Sequence, residues 1–333
     1  MKQDSVMIPA KMLPGFRIFK ALERGNEKNL LITTWGGIGD QVCAEPTLRY
    51  AIEKFGKDVD ISLASHVPEL FSHLKFKEVF DLNKVSPVEE NYLVFKTIPE
   101  QTDLTWQFLN HCLINCVDYP SLAAFNCTLP ISYKEIKLMP KPIDLPEDCR
   151  IVIHPGKHWP SKTFPKDWWD EVITYLVGLQ FTPIIVGKDC DDNRTTVDVK
   201  TEGCLDLRDK LDLNGFAYLL KKTQVILTND SSPIHIGAAG QAFIGYVATC
   251  KHPDYITHWR NGEWGWRMKN FGRGGIWDTM SHLANTGVAV TVDKCTPAQM
   301  KAWLPEPLDF VEWAVEKSKE YEATLKAKRE EFN

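Results

Sequence analysis

Three short segments of this chain combine glycine or proline turns with charged or hydroxylated side chains. The first, Thr33-Thr34-Trp35-Gly36-Gly37-Ile38-Gly39-Asp40, follows the apolar run Leu30-Leu31-Ile32. The second runs from His154-Pro155-Gly156 through Lys157-His158-Trp159-Pro160-Ser161-Lys162 to Thr163-Phe164-Pro165, after Ile151-Val152-Ile153. The third is Thr228-Asn229-Asp230-Ser231-Ser232-Pro233-Ile234-His235. Each reads as strand, tight turn and helix start. Such turns aim backbone N–H groups and the positive end of a helix at an anion. A carboxylate at the first turn, with a lysine and hydroxyls at the others, points to chemistry on a phosphate-bearing donor held between two domains.

Each residue also has a plainer reading. Asp40 falls at a helix start, where aspartate is a common N-cap. The glycines before it permit positive φ and close backbone approach. Val42 stands where a dinucleotide fingerprint needs its third glycine, so an NAD site is not supported. Lys162 precedes a helix, where a cation opposes the dipole unless an anion is present too. It is a phosphate ligand or a solvated lysine, and Lys157 competes for the role. Ser231 or Ser232 can cap the third helix, with Pro233 in its first turn. His235 is a ligand or a core histidine.

The elements that must position these residues alternate. Asn29–Thr34 reads as a buried strand and Asp40–Phe55 as one helix. Strands are expected at Val59–Ala64, Glu78–Leu82 and Tyr92–Phe95, and a helix at Thr102–Cys112. Lys137–Asp148 carries Pro140, Pro142 and Pro146 and reads as a linker. The pattern then restarts. Arg150–His154 is a strand, and Pro165–Leu179 a helix with Trp168, Trp169, Val172 and Leu176 at helical spacing. Thr182–Val186, Gln224–Thr228 and Ala242–Val247 read as strands, Leu213–Lys222 and Pro233–Ala239 as helices. Val247–Thr286 has no clear period and is too long for an ordinary connector. Pro297–Trp303 and Leu308–Lys328 close the chain as helices. Strands alternating with helices make an α/β protein with doubly wound parallel sheets.

A chain of 333 residues is long enough for two such domains. Its 44% hydrophobic and 25% charged residues are ordinary for a globular protein. A net charge of −5 supplies no global field for DNA or anionic membrane. Nine scattered cysteines without a CxxC pair read as reduced, buried thiols, not as a zinc site. No stretch approaches the ~20 apolar residues of a membrane span. Met1–Lys28 lacks the apolar core of a signal peptide. A cytoplasmic location is expected.

Taken in order, the three segments resemble glycosyltransferase family 9, the heptosyltransferase-like enzymes. The family's Gly-Asp turn with a following Pro and Leu-Arg pair is matched by Gly39-Asp40 and Pro46-Thr47-Leu48-Arg49. Its His-Pro-Gly strand end with a downstream Lys-x-Trp-Pro is matched by His154-Pro155-Gly156 and Lys162-Thr163-Phe164-Pro165, with Phe164 in place of Trp. Its Asn-Asp-(Ser/Thr)-Gly-Pro-x-His helix start is matched by Asn229 to His235, with Ser232 in place of Gly. The resemblance spans roughly Leu30 to Val247.

It implies the GT-B architecture, two Rossmann-like doubly wound domains facing a central crevice. The corresponding parts are an extension at residues 1–28, an acceptor domain at 29–140, a linker at 141–149, a donor domain at 150–305 and a C-terminal helix at 306–333 that crosses back to the first domain. It also implies inverting, metal-independent transfer from a nucleoside-diphosphate sugar to an acceptor hydroxyl, without a cofactor. Asp40 is then the general base, and Lys162 with the Ser231/Ser232 helix start stabilises the leaving diphosphate. Gly39, Asp230 and His235 complete the donor site. The acceptor is a glycan or glycolipid of lipopolysaccharide type.

The segment Lys251–Trp277 lies outside this resemblance. It interleaves Tyr255, His258, Trp259, Trp264, Trp266 and Trp277 with Lys251, Arg260, Arg267, Lys269 and Arg273. Aromatic faces stack on sugars and bases, and cations contact phosphate. Trp259, Arg260, Trp266 and Arg267 are therefore candidate contacts to the acceptor, and a hydroxylated base in DNA is an alternative acceptor. The same composition also suits a loop with its own aromatic core. A sugar-nucleotide epimerase and a non-catalytic nucleotide-sugar-binding protein are the competing functions.

Overall fold

In a computed structural model of the chain, residues 25, 28–98, 114–125, 128–146, 150–188, 195–276 and 295–331 are described. The helix expected at Thr102–Cys112, almost all of Met1–Lys28 and Trp277 lie outside them. The chain divides after Met139 into two units.

The first unit contains β1 (Asn29–Thr33), α1 (Ile38–Cys43), α2 (Glu45–Phe55), β2 (Asp60–Ser65), β3 (Val79–Asp81), β4 (Leu93–Lys96) and α3 (Asp118–Phe125). Its four strands are parallel in the order β3-β2-β1-β4. Leu30, Leu31 and Ile32 are buried because β1 is an interior strand, flanked on both sides. The single helix expected over Asp40–Phe55 is two helices broken at Ala44. Pro46 explains the break: it has no N–H to donate, and its ring collides with the carbonyl four residues earlier. The Ala44 N–H instead bonds the Gln41 carbonyl at 3.0 Å, and the Leu48 N–H restarts the ladder on the Ala44 carbonyl.

The second unit contains β5 (Ile151–His154), α4 (Lys166–Gly178), β6 (Ile184–Ile185), β7 (Leu205–Asp206), α5 (Leu213–Lys222), β8 (Val225–Asn229), α6 (Ser232–Gly237), β9 (Phe243–Val247), α7 (Pro253–Ile256), β10 (Trp259–Arg260), β11 (Glu263–Trp264), β12 (Met268–Asn270), α8 (Pro297–Trp303) and α9 (Pro307–Glu331). Six parallel strands run in the order β12-β9-β8-β5-β6-β7. The inner face of α4 buries Trp168, Trp169, Val172, Ile173 and Leu176, the helical spacing read from the sequence. Phe310, Val311, Trp313 and Ala314 of α9 join that core, and α9 packs on α4, β8 and β9 of its own unit.

Both sheets wind alike. In the first unit the chain steps from β1 outward to β2 and β3, then returns to β4 on the other side of β1. In the second it steps from β5 to β6 and β7, then returns to β8 and β9 on the other side of β5. Reversals of this kind open a ligand crevice beyond the carboxyl ends of the strands. The turn carrying Asp40 leaves β1, and the loops carrying Lys162 and Asp230 leave β5 and β8.

Candidate functional site

In the first unit the glycine turn is held by Gln41, which is 2% exposed. Its Oε1 accepts from the Thr34 hydroxyl at 2.8 Å, the Ser65 hydroxyl at 2.9 Å and the His66 N–H at 3.3 Å. Its Nε2 donates to the Gly36 carbonyl at 3.1 Å. One buried amide thus ties the ends of β1 and β2 to the turn. Gly36 has φ +89°, and a methyl there would sit 2.9 Å from Asp40 Oδ2, so the turn requires glycine on both counts.

Asp40 is exposed. It is not the N-cap of α1. That position belongs to Gly37, whose N–H donates to Asp40 Oδ2 at 3.0 Å. The carboxylate reaches back from the third helical position, as the acid of a capping box does. Oδ1 accepts no hydrogen bond among the described residues. Gly39 is buried one residue before.

In the second unit Asn229 has the corresponding place. It is 1% exposed, and its Nδ2 donates to the carbonyls of Gly156, at 3.0 Å, and Lys162, at 2.5 Å. A methyl on Gly156 would lie 2.3 Å from Asn229 Oδ1, which is why glycine stands there. The loop after β5 is therefore fastened to the end of β8 across the winding reversal. Lys162 ends the short 3-10 turn Pro160–Lys162, and its ammonium pairs with Asp230 at 3.0 Å, the two side chains 14% and 4% exposed. This is the anion that the position of Lys162 calls for. The ammonium also lies 5.2 Å above the Trp159 ring, which stacks on His158.

Ser231 occupies the N-cap of α6, but its hydroxyl makes no capping bond. It turns inward to Asn229 Oδ1 at 2.9 Å, Thr228 Oγ1 at 3.1 Å and His154 Nδ1 at 3.2 Å. Burial drives the pKa of His154 down to about 4, against the opposing pull of a hydrogen bond to the Asn229 side chain, so its imidazole is neutral near pH 7. Ser232 opens α6 and is partly exposed. His235 is buried, its Nδ1 2.8 Å from Nε2 of His258. Burial first, then His235, then Arg260 hold the pKa of His258 well below the ordinary value.

The aromatic-basic segment resolves into structure of its own. Trp259 and Trp264 face each other edge-on across the β10–β11 hairpin, and β12 extends the main sheet. Arg260 is 1% exposed and donates to the carbonyls of Gly240, Ala242 and Trp266. This corrects its reading as an acceptor or phosphate contact: a buried guanidinium must be hydrogen-bonded, and backbone carbonyls fill that need. Arg267 donates to the Gln241 carbonyl at 2.8 Å and lies over the rings of Trp266, Phe243 and Tyr321. Arg273 pairs with Glu306 and Asp309. Trp266 is partly buried under these cations. The segment is largely a folded excursion whose cations serve rings, carbonyls and carboxylates of its own unit.

Sequence reasoning passed over Gln41 and Asn229 as site residues, although Asn229 lies within the third segment and Gln41 directly follows Asp40. An amide beside the reactive group in each turn was the available signal. Among the described residues no helix is long and apolar enough to cross a membrane.

Two parallel-sheet α/β units, each with loaded turns at the carboxyl ends of its central strands, define the class: the fold is that of the GT-B glycosyltransferases. Solved structures share it. The iron-containing dodecameric glycosyltransferase TibC from enterotoxigenic Escherichia coli H10407 matches with a TM-score of 0.62 at 15% identity, over 88% of this chain and 77% of that one. The E. coli ADP-heptose lipopolysaccharide heptosyltransferase II matches with a TM-score of 0.55 at 15% identity, over 85% and 98%. A family 9 glycosyl transferase from Veillonella parvula DSM 2008 matches with a TM-score of 0.51 at 13% identity, over 85% and 97%. Residues 118–243 match the family model of glycosyltransferase family 9 (heptosyltransferase). No curated protein sequence matches it significantly. The matched segment contains Lys162, Asp230, Ser231, Ser232 and His235, whereas Asp40 lies before it.

Proposed function

We propose that the chain transfers a sugar from a nucleoside-diphosphate sugar to the hydroxyl of a glycan or glycolipid of lipopolysaccharide type, by one inverting displacement that needs no metal. The acceptor oxygen attacks the anomeric carbon, its proton passes to Asp40, and the bond to the diphosphate breaks with its electron pair leaving on phosphate. Base assistance of this kind contributes about 10²–10⁴ in rate. The observation that carries the reading is the state of Asp40. It is exposed at the carboxyl end of an interior strand, held through one oxygen by the Gly37 N–H, and its other oxygen takes no hydrogen bond among the described residues.

Lys162 supplies the positive charge for the leaving group. An ammonium has three protons, so it can keep Asp230 and still donate to phosphate. Asn229 keeps this charge in place before substrate arrives, and preorganised charge is what stabilises a developing anion. A TibC structure is described as a complex with ADP-D-beta-D-heptose, which makes an ADP-linked heptose the first donor to test. A DNA acceptor has no comparable support, since Arg260 and Arg267 serve carbonyls and rings of their own unit.

The test is a thermal-shift screen of nucleotide sugars, then a transfer assay with and without EDTA and NMR assignment of the product anomer. Stabilisation by one nucleotide sugar, EDTA-insensitive transfer and an inverted anomer are expected. A strict requirement for Mg²⁺ or Mn²⁺, or a retained anomer, would overturn the mechanism.

A further inference from the structure

A large aromatic side chain stands exposed where the fold gives no reason for one. Trp35 opens the glycine turn after β1 and is 56% exposed. An indole carries about 150–250 Å² of mostly apolar surface, and a buried one contributes accordingly. Here much of it is left to water. Its backbone N–H reaches Thr97 Oγ1 at 3.4 Å, beyond the end of β4. Its ring meets the His66 imidazole edge-on, with centroids 5.8 Å apart and planes at 60°. That contact restrains the indole from one side.

The surroundings are hydroxyl-binding chemistry. His66 follows β2 and Asn83 follows β3, so Trp35, His66 and Asn83 follow three adjacent strands of one sheet, at their carboxyl ends. His66 Nδ1 lies 3.1 Å from Asn83 Oδ1, while Asn83 Nδ2 donates to the His66 carbonyl at 2.8 Å and Asp81 Oδ1 at 2.9 Å. Both side chains are set on the sheet end where the turn places Asp40. The Asp40 carboxylate lies over Gly36, the residue next to Trp35.

We infer that Trp35 is the platform on which the ring of the acceptor sugar stacks, presenting its hydroxyl to Asp40; the inference deepens the proposed transfer and rests on it for the word acceptor. A pyranose has one face of C–H groups and a rim of hydroxyls. The C–H face suits the indole, and the rim suits imidazole, amide and carboxylate. A nucleobase would stack as well, but its strand brings phosphates, and Lys84, the cation bonded into this cluster, is already paired with Asp81 at 2.8 Å. Holding the acceptor ring flat fixes the angle of its hydroxyl to the base, the positioning on which such reactions depend.

The experiment is saturation-transfer NMR on the full chain, with deacylated lipopolysaccharide core oligosaccharide as the probe and oligothymidylate as the counter-probe. Saturation of the ring C–H protons in the wild type is expected. The dissociation constant rises about tenfold in Trp35→Ala and far less in Trp35→Phe, which keeps an aromatic face. Asp40→Asn keeps the saturation and loses transfer. Because this readout needs no turnover, the two ideas fail separately. Saturation without transfer from any nucleotide sugar leaves the platform standing and removes the transferase reading. No saturation in the wild type, equal affinity in Trp35→Ala, or a Trp35-dependent response to oligothymidylate alone each overturns the platform.

Discussion

The turn after β1 and the paired loops after β5 and β8 leave equivalent places in two sheets wound alike, and each is fastened by one buried side-chain amide. They present charge in opposite ways. Gln41 gathers hydroxyls and a backbone N–H onto its oxygen and leaves Asp40 outside, exposed and, among the described residues, without a countercharge in contact. Asn229 faces inward, binds the carbonyls of two turns, and leaves Lys162 nearly covered against Asp230. A group that must accept a proton needs access and no competing cation. A group that must meet a diphosphate has to be held in place beforehand. The first region should therefore carry rate with little stability, and the second stability along with binding.

The largest effect expected from this contrast is on Asp40→Asn. Transfer should fall by about 10²–10⁴ while the melting temperature stays within a degree or two, because an amide can accept the Gly37 N–H but cannot act as the base. Full turnover by the variant would reduce Asp40 to a cap.

Asn229→Ala comes next and should do the reverse. Two carbonyls, one buried and one partly buried, lose their donor, each at about 1–3 kcal/mol, so urea unfolding should show a loss of about 2–6 kcal/mol together with weaker donor binding. An unchanged unfolding midpoint would mean that the second region is not braced in the way its geometry states.

Acid sharpens the same point. His154 has a folded-state pKa of about 4 against an ordinary 6.5. Between those values the unfolded chain takes up a proton that the folded chain does not, so stability falls as pH is lowered. The loss approaches about 3 kcal/mol once pH is below both values. Burial holds the pKa of His258 low too, so it acts in the same direction. Comparing unfolding at pH 7 and pH 4.5 in wild type and His154→Gln checks this; an equal loss in both proteins would remove His154 from the account.

The smallest effect belongs to Lys162→Ala. Donor and free nucleoside diphosphate should bind about tenfold more weakly, as expected for one charge-assisted contact. The loss is deepened because Asp230 is then left as an unpaired carboxylate beside the diphosphate. Unaltered binding of both ligands would move the diphosphate site elsewhere.

Much of the fold was legible because its signals are local. An apolar run such as Leu30-Leu31-Ile32 has few choices but an interior strand, and Trp168, Trp169, Val172 and Leu176 repeat at helical spacing. Leu213–Lys222 runs between the limits read from its sequence. The break at Ala44 was also locally encoded, by Pro46, yet the apolar period of the helix masks it. The residue types of the candidate site were legible, as glycine turns, a lysine and an aspartate, and the phosphate chemistry read from them is the one proposed above.

What the sequence could not decide is where each polar group spends its hydrogen bonds. Ser231 reads as a cap, but turns to His154 and Asn229. Arg260 reads as a phosphate contact, but satisfies carbonyls brought to it by the end of α6 and the start of β9. Asn229 reads as an ordinary motif member and Gln41 as a neighbour of Asp40, but both become the fastenings of their turns. The sequence by itself determined the elements, their alternation and the chemical inventory of the turns, because these follow from backbone propensity and side-chain period. The partners of Asp40, Lys162, Ser231 and Arg260 were decided only by tertiary structure, because a buried polar group takes whichever donor or acceptor folding places within about 3 Å.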